Sequence, residues 1–446
     1  MKFDIKQGEE FLTSHSGLAL IGALLHITKL EDRLNSVFLP KHPRPEISHS
    51  QVVNAIIGLL CLGKPDFAAI ELFRHDWFFS TNLGLSSVPS EGTLRQRLDD
   101  AEGRFDAILK EETADMIKRH APRISPCHKE HVPLDLDVSP FDNSGSRKEG
   151  VSWTYKNSDG YAPMLAYLGE EGYWINEELR EGSQHCQKGT PAFLRETIGY
   201  AKRITSSPLL VRMDSGNDSL DNLKVCLDEK VDWLIKRNLR RESVEMWLEI
   251  AKTRGEIQIP RPGKKIYRGD VYVDREGVEK PLRQVFEVTV RTIDRRGQAL
   301  LIPDIAVEAY ETSLPDAPET IVKLYHAHGT SEQFHSEIKS DMDLERLPSG
   351  KFATNALILL LGMTAYNCLR LCGQESLREK GVSEEERAPL RKNVFRRRLR
   401  SVMQDLMYMA SRVISHARRL RLSFSRWNPW YRVWKRVYER FAGAYG

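Results

Sequence analysis

The sequence predicts an α/β protein whose core is interrupted by an antiparallel β insertion and flanked by helical N- and C-terminal regions. Three observations predict it. Between about 126 and 238, short apolar strand-like runs alternate with amphipathic helical stretches, the signature of an α/β layer. Between about 239 and 318, strand-like runs follow one another without long helices. On either side, at 1–125 and beyond 319, apolar residues recur at helical spacing.

Taken in order, Gly17 to Leu30 and Val52 to Leu62 carry helical apolar patterns. Pro89-Ser90-Glu-Gly-Thr93-Leu begins another helix with a proline and a cap, and Arg95 and Arg97 follow in its first turns. A helix N-terminus so equipped either faces DNA or is plain surface, and the pattern does not choose. Leu134 to Val138 alternates apolar and acidic, placing Asp135 and Asp137 on one side of a strand. Gly172 to Leu179 reads as a strand. Thr190 to Ile204 reads as a helix with Phe193, Leu194, Thr197, Ile198 and Ala201 on one stripe. Leu209 to Val211 is a buried-type strand leading into Asp214. Leu220 to Glu229 is helical, and Asp232 to Lys236 is a strand. In the insertion, Val271 to Val273, Gln284 to Thr292 and Ala299 to Ala306 read as strands. Helix returns from about 319 to 374, and a basic helical tail follows Pro389. The expected segments are therefore 1–125, 126–238, 239–318, 319–380 and 381–446.

Length and composition bound the function. The 446 residues, 41% hydrophobic and 29% charged, suit a globular protein of several domains. No run of eighteen apolar residues and no apolar leader is present, so an intracellular protein is expected. Six cysteines do not suggest a disulfide framework. Cys127-His128 and His185-Cys186 match no usual zinc spacing, and Cys368 and Cys372 fit a buried core. The net charge of +4 is uneven: residues 381–446 hold 16 Lys/Arg against 5 Asp/Glu, and the rest 50 against 57. A basic tail on a mildly acidic body points to a polyanionic partner. The interleaved Trp427, Trp430, Tyr431, Trp434 and Tyr438 favour nucleic acid.

Chemistry concentrates at three carboxylates. Phosphodiester hydrolysis needs an activated nucleophile and a stabilised leaving oxygen, which two divalent ions supply. Mg²⁺ takes oxygen ligands, so carboxylates on firm supports suffice. Asp137 and Asp214 end strands, and Glu332 lies on a helix. Small Ser215-Gly216 leave room beside Asp214. On a continuous α-helix, Tyr325, His328, Glu332 and Lys339 would share a stripe of roughly 60°. A capping box at Thr330-x-x-Gln333 would instead start the helix at 330 and leave Tyr325 and His328 in a turn. Glu337 falls about 140° away. Spacing alone does not choose between Asp135 and Asp137 as a ligand, and any single carboxylate is more often plain surface.

These residues resemble a known family. Tyr325-x2-His328-x3-Glu332-x6-Lys339 is similar to the Tyr-x2-Arg-x3-Glu-x6-Lys signature of DDE transposases of bacterial insertion sequences. Val-Arg-Met-Asp214-Ser-Gly resembles their Arg-x-Asp-Ser-Gly motif, and Leu-Asp-Leu-Asp137-Val-Ser their first-aspartate strand. Leu12-Thr-Ser-His15, Pro89-Ser90-x-x-Thr93-Leu94 and Asn355 to Leu371 resemble insertion-sequence family thirteen-eighty. The resemblance covers about 12 to 375 and implies an RNase H-like core with Asp137, Asp214 and Glu332 as catalytic residues and metal ligands. It implies Mg²⁺, replaceable by Mn²⁺, with two ions per site. It further implies binding of terminal inverted repeats, strand cleavage, joining of 3′-hydroxyl ends to target DNA, a homodimer on DNA and a bacterial, nucleoid-associated setting. Tyr325, His328, Lys339, Arg95 and Arg97 are the expected DNA contacts. His328 replaces the family's arginine, whose fork grips phosphate as neutral histidine cannot; either the DNA contact is weaker or Arg346 or Lys339 supplies it. A catalytically inactive relative and a nuclease without strand transfer are the competing readings. Trp233 and Trp247 are expected in the core rather than stacked on a flipped base.

Overall fold

The computed structural model describes residues 1–294, 296–416 and 419–443. The chain divides into two compact units, Met1–Arg123 with Pro140–Tyr161 and His335–Gly446, and Ile124–Ser139 with Ala162–Phe334. The fold is mixed α/β, with one large mixed sheet in the second unit. This division differs from the five expected segments. The two terminal regions form one unit, and the β insertion is continuous with the core.

The second unit holds the strands β1 (Val132–Val138), β2 (Met164–Leu168) and β3 (Tyr173–Glu178), then helix α1 (Thr190–Ile204). Next come β4 (Leu209–Met213), α2 (Leu220–Glu229) and β5 (Asp232–Lys236). The sheet order β3-β2-β1-β4-β5, with β1, β4 and β5 parallel and β2 antiparallel to its neighbours, is an RNase H-like core. Local chemistry explains the elements. The predicted stripe of α1, from Phe193 to Ala201, is buried, and Pro191 sits in its first turn. Ser219 caps α2 by accepting from Asn222 N at 3.3 Å, and Lys230, at φ 54°, ends it in the left-handed region.

The insertion contains α3 (Val244–Arg254), which the strand-only reading missed, and then β6 (Glu256–Arg261), β7 (Lys264–Val273), β8 (Leu282–Ile293) and β9 (Ala299–Thr312). Ser243 caps α3 by accepting from Met246 N at 3.1 Å. Trp247 and Ala251 of α3 bury against Phe286 and Val288 of β8 and Ala309 of β9. Because β9 pairs antiparallel with β5, the four insertion strands extend the core sheet to nine. Leu210, Leu234, Val285, Tyr310 and Ile321 form one cluster across that junction. Helix α4 (Pro318–His326) packs there, and α5 (Ser331–Ser336) follows.

The first unit is built around Phe352–Ser376, a helix of 25 residues. It is long and apolar enough to cross a membrane, yet its apolar window is buried against His49–Cys61 and Asp106–His120. Cys368 and Cys372 lie in that interior. The expected continuous helix over 319–374 is interrupted, by 3-10 turns at Ala327–Thr330 and a π-turn at Glu337–Asp341 before this helix begins. The C-terminal region is likewise only partly helical. Ser411–His416 and Arg419–Phe424 form an antiparallel ribbon that pairs with Phe11–Thr13, and helix resumes at Tyr431–Ala442. The ribbon's period-two alternation, Arg-Leu-Arg-Leu-Ser-Phe, was masked by its charge.

Candidate active site

Strands β1 and β4 run parallel in direct register, Leu136 beside Met213. The next residue on each is Asp137 and Asp214, so both carboxylates arrive at the carboxyl edge of the sheet, where open α/β sheets bind ligands. Backbone and side-chain donors orient them. Val138 N donates to Asp137 Oδ1 at 2.8 Å, and the buried Asn217 donates from Nδ2 to Asp214 Oδ1 at 2.8 Å. A Cβ on Gly216 would stand 3.3 Å from Asp214 Oδ1 and 3.0 Å from Cys186 Sγ, so glycine keeps this carboxylate clear.

One step back along the same strands lies Asp135, paired in register with Arg212. Arg212 donates from Nε to Asp135 Oδ1 at 2.6 Å and from a terminal nitrogen to Oδ2 at 2.7 Å. His328 Nδ1 joins Asp135 Oδ1 at 3.0 Å, and Arg212 also donates to the Leu324 carbonyl at 2.9 Å. Burial alone would raise the Asp135 carboxyl, but Arg212 and His328 bring it down to about 2. Asp135 is occupied by a bidentate arginine, and Asp137 is the one presented at the sheet edge. The same cluster corrects the expectation for His328. The ring is buried and turned toward the strand, which leaves it no face for a DNA phosphate.

The helical path through α4 and α5 is not uniformly α. Between α4 and α5 the 3-10 turns at Ala327–Thr330 tighten the path, and Thr330 donates to the Ala327 carbonyl at 2.9 Å instead of capping a new helix. His328 therefore ties this turn to β1, while Glu332, one turn on, is exposed. A second anchor follows at Phe334, whose ring lies 4.9 Å from Tyr167 and fills the space above Gly172. Gly172 has φ +69°, and a Cβ there would meet the Phe334 ring at 2.3 Å. Tyr325 is half-buried, 4.7 Å from the Tyr310 ring and 5.9 Å from that of His328. Burial and the carboxylates of Asp214 and Asp137 push its phenol well up.

The electrostatics join the three carboxylates. Burial first, then the charges of Asp214 and Glu332, push the Asp137 carboxyl up to about 7, against the lowering influence of His328 and the Val138 N–H. Oxygen donors held in mutual repulsion are a donor set suited to a hard divalent cation. Among the described residues no three His, Cys, Asp or Glu side chains already close around one ion position. Asp137 and Asp214 are preset by the sheet, and Glu332 stands exposed one turn beyond the His328 anchor.

The remaining expected residues lie elsewhere. Lys339 belongs to the first unit, in the π-turn, where it donates to the Pro140 carbonyl at 2.5 Å and stands 5.5 Å from the Phe141 ring. Glu337 is buried against Arg370. Arg95 is exposed but paired with Glu91 at 2.7 Å. Arg97 is 5% exposed, donating to the Ile47 carbonyl at 2.8 Å and contacting His49, so its expected place at a DNA surface is corrected to the interior. Arg346 is exposed. Trp233 and Trp247 are buried. The sequence reading assigned no role to Arg212, Asn217, Gly172 or Phe334. Arg212 was detectable, because strand alternation puts it on the face of Asp214. The other three act through contacts with residues distant in sequence.

Comparison with known proteins bears on this arrangement. The family described as Transposase DDE domain group 1 matches residues 4–444. A cryo-EM structure of a piggyBac transposase synaptic complex with hairpin DNA aligns with a TM-score of 0.41 and 12% identity, covering 90% of this chain and 82% of that one. No curated protein matches.

Proposed function

Because the chain belongs to the Transposase DDE domain group 1 family, we propose that it binds the terminal inverted repeats of its own element, cleaves DNA by metal-assisted hydrolysis and joins the 3′-hydroxyl ends to target DNA. The observation that carries this reading is the abreast placement of Asp137 and Asp214, with the Asp137 carboxyl raised to about 7 beside Asp214 and Glu332. These three would hold Mg²⁺, or Mn²⁺ in its place, as a pair of ions. When bound, such ions activate the attacking oxygen and stabilise the leaving one.

The chain's own residues supply position. Arg212 and His328 hold Asp135, and through it the helical turn that precedes Glu332. Asn217 orients Asp214, and Gly216 leaves its carboxylate open to a DNA backbone. Tyr325 and Lys339 are proposed DNA contacts, Arg95 a further one, with a broader basic interface in the C-terminal region. Joining two ends calls for two protomers, so the active form is proposed to be a homodimer on DNA. The motifs named above support the further proposal that the element belongs to insertion-sequence family thirteen-eighty, with a bacterial, nucleoid-associated setting.

The test is strand cleavage of an end-bearing duplex in Mg²⁺ by the wild type, Asp214→Ala and Glu332→Gln. Cleavage by the wild type alone is expected, followed by a strand-transfer product with target DNA. Equal cleavage by all three would overturn the assignment. Cleavage without a transfer product would make the protein a nuclease.

A further inference from the structure

In the first unit, Ser411–His416 and Arg419–Phe424 pair as a two-stranded ribbon with Val413 opposite Leu422 and His416 opposite Arg419. Directly opposed residues in an antiparallel pair share a face, and alternate residues share it along each strand. One face therefore carries Val413, Leu420, Leu422 and Phe424. The other carries Arg412, His416, Arg419 and Arg421, with Ile414 and Ser423 between them. Phe424 packs 4.8 Å from Trp434 and 5.6 Å from Tyr431 of the terminal helix, which seats on the unit the end of this face that holds Val413 and Phe424, while Leu420 at the far end is 53% exposed. Thr13, Leu12 and Phe11 close the ribbon's other edge.

The basic face is left outward. Arg412, His416, Arg419 and Arg421 are all exposed. Among the described residues its nearest carboxylate partner is Glu10, 3.8 Å from Arg412 with both side chains more than half exposed. Such a pair is worth little in water. Arg419 and Arg421 have no ion-pair partner among the described residues. Beyond the ribbon, Trp427 is 78% exposed with the Arg426 guanidinium 4.7 Å from its ring centroid. A surface of arginines with an adjoining aromatic, bare of neutralising acids, is complementary to a phosphate backbone.

We infer that the basic face formed by Ser411–His416 and Arg419–Phe424 is a duplex-DNA surface that grips phosphates without reading sequence. The inference rests on the transposase reading only for its partner, DNA. Arginine is the residue type for this task because its fork engages phosphate bidentately and stays charged at any working pH.

The test uses the full chain and two duplexes of equal length, one bearing the element's ends and one scrambled. Affinities are measured from 50 to 200 mM salt for the wild type, Arg419→Ser with Arg421→Ser, and Arg195→Ser as a charge control on the second unit. Each lost phosphate contact lowers the salt slope by about one. The double variant is expected to weaken both duplexes by a similar factor, and its loss of affinity across that salt range should be about tenfold smaller than the wild type's. The control should behave as wild type. An unchanged slope in the double variant, or weakening confined to the end-bearing duplex, would overturn the inference. Failure of metal-dependent cleavage by the wild type would leave the binding result intact, so this proposal and the catalytic reading fail separately.

Discussion

Asp135 and Asp137 lie two residues apart on one face of one strand, and their surroundings treat them oppositely. Behind the site, Asp135 is sealed in a closed cluster with Arg212 and His328 and held at about 2. In front, Asp137 faces Asp214 and Glu332 and is pushed up to about 7. The closed cluster satisfies its charges within the protein, and the open one has excess negative charge for something else to satisfy. The difference teaches that position on a strand does not make a ligand. What matters is whether a neighbour has already neutralised the charge.

The largest expected effects separate the two clusters by what they damage. Asp214→Ala should lower Mg²⁺-dependent cleavage by roughly three orders of magnitude or more. It should leave the urea midpoint near wild type or raise it, since it removes a repelling charge. Arg212→Met should do the reverse first, costing about 3–5 kcal/mol of stability by stranding Asp135 in the interior. Adding Asp135→Leu should return most of that loss. Urea unfolding of the four proteins measures both claims. If Asp214→Ala unfolds the chain, or Arg212→Met leaves stability untouched, the contrast between closed and open clusters fails.

An intermediate effect is expected at His328, which links the closed cluster to the helix of the open one. His328→Ala should cost about 1–3 kcal/mol, since Asp135 loses a buried partner, and should lower cleavage. His328→Asn, whose amide can replace the Nδ1 donor, should recover part of both. Recovery by Asn separates this role from simple packing, which Leu would restore better. Equal behaviour of Asn and Leu would show that the bond to Asp135 does not position Glu332.

Much of this contrast was legible before the structure, and the rest was hidden for physical reasons. Alternation in Leu134 to Val138 and the boundaries of α1, α2 and β5 came directly from periodicity, because strongly patterned segments bury the face their pattern predicts. The pairing of Asp135 with Arg212 needed the register of two strands separated by 77 residues, which no local pattern encodes. Arg97 looked like a DNA contact because it sits in the first turns of a capped helix. Its burial depends on His49, 48 residues upstream. The C-terminal ribbon was misread as helix because charge density was weighed over its two-residue period. Phe334 was passed over because its role is steric and depends on the left-handed Gly172.

The remaining expected effect is a pH dependence belonging to the open cluster alone. An unfolded aspartate titrates near 3.9, so a folded value of about 7 means the native state keeps a proton that the unfolded state has released. Native protein then binds more protons between roughly pH 4 and 7, and stability falls as pH rises through that window, by at most about 1.4 kcal/mol per pH unit. Asp137→Asn carries no such proton. Its stability relative to wild type should therefore grow from pH 4 to pH 7 and level off above. Mg²⁺ added at pH 7.5 should raise the wild-type melting temperature, and a chelator should reverse the gain, because a cation relieves the repulsion that the proton relieves at low pH. The variant should respond to neither. Asp135→Asn should show no comparable growth over pH 4 to 7, since its carboxyl is already ionised below that window. A parallel pH profile for the two variants would mean that the strand, and not its neighbours, sets the charge state of both aspartates.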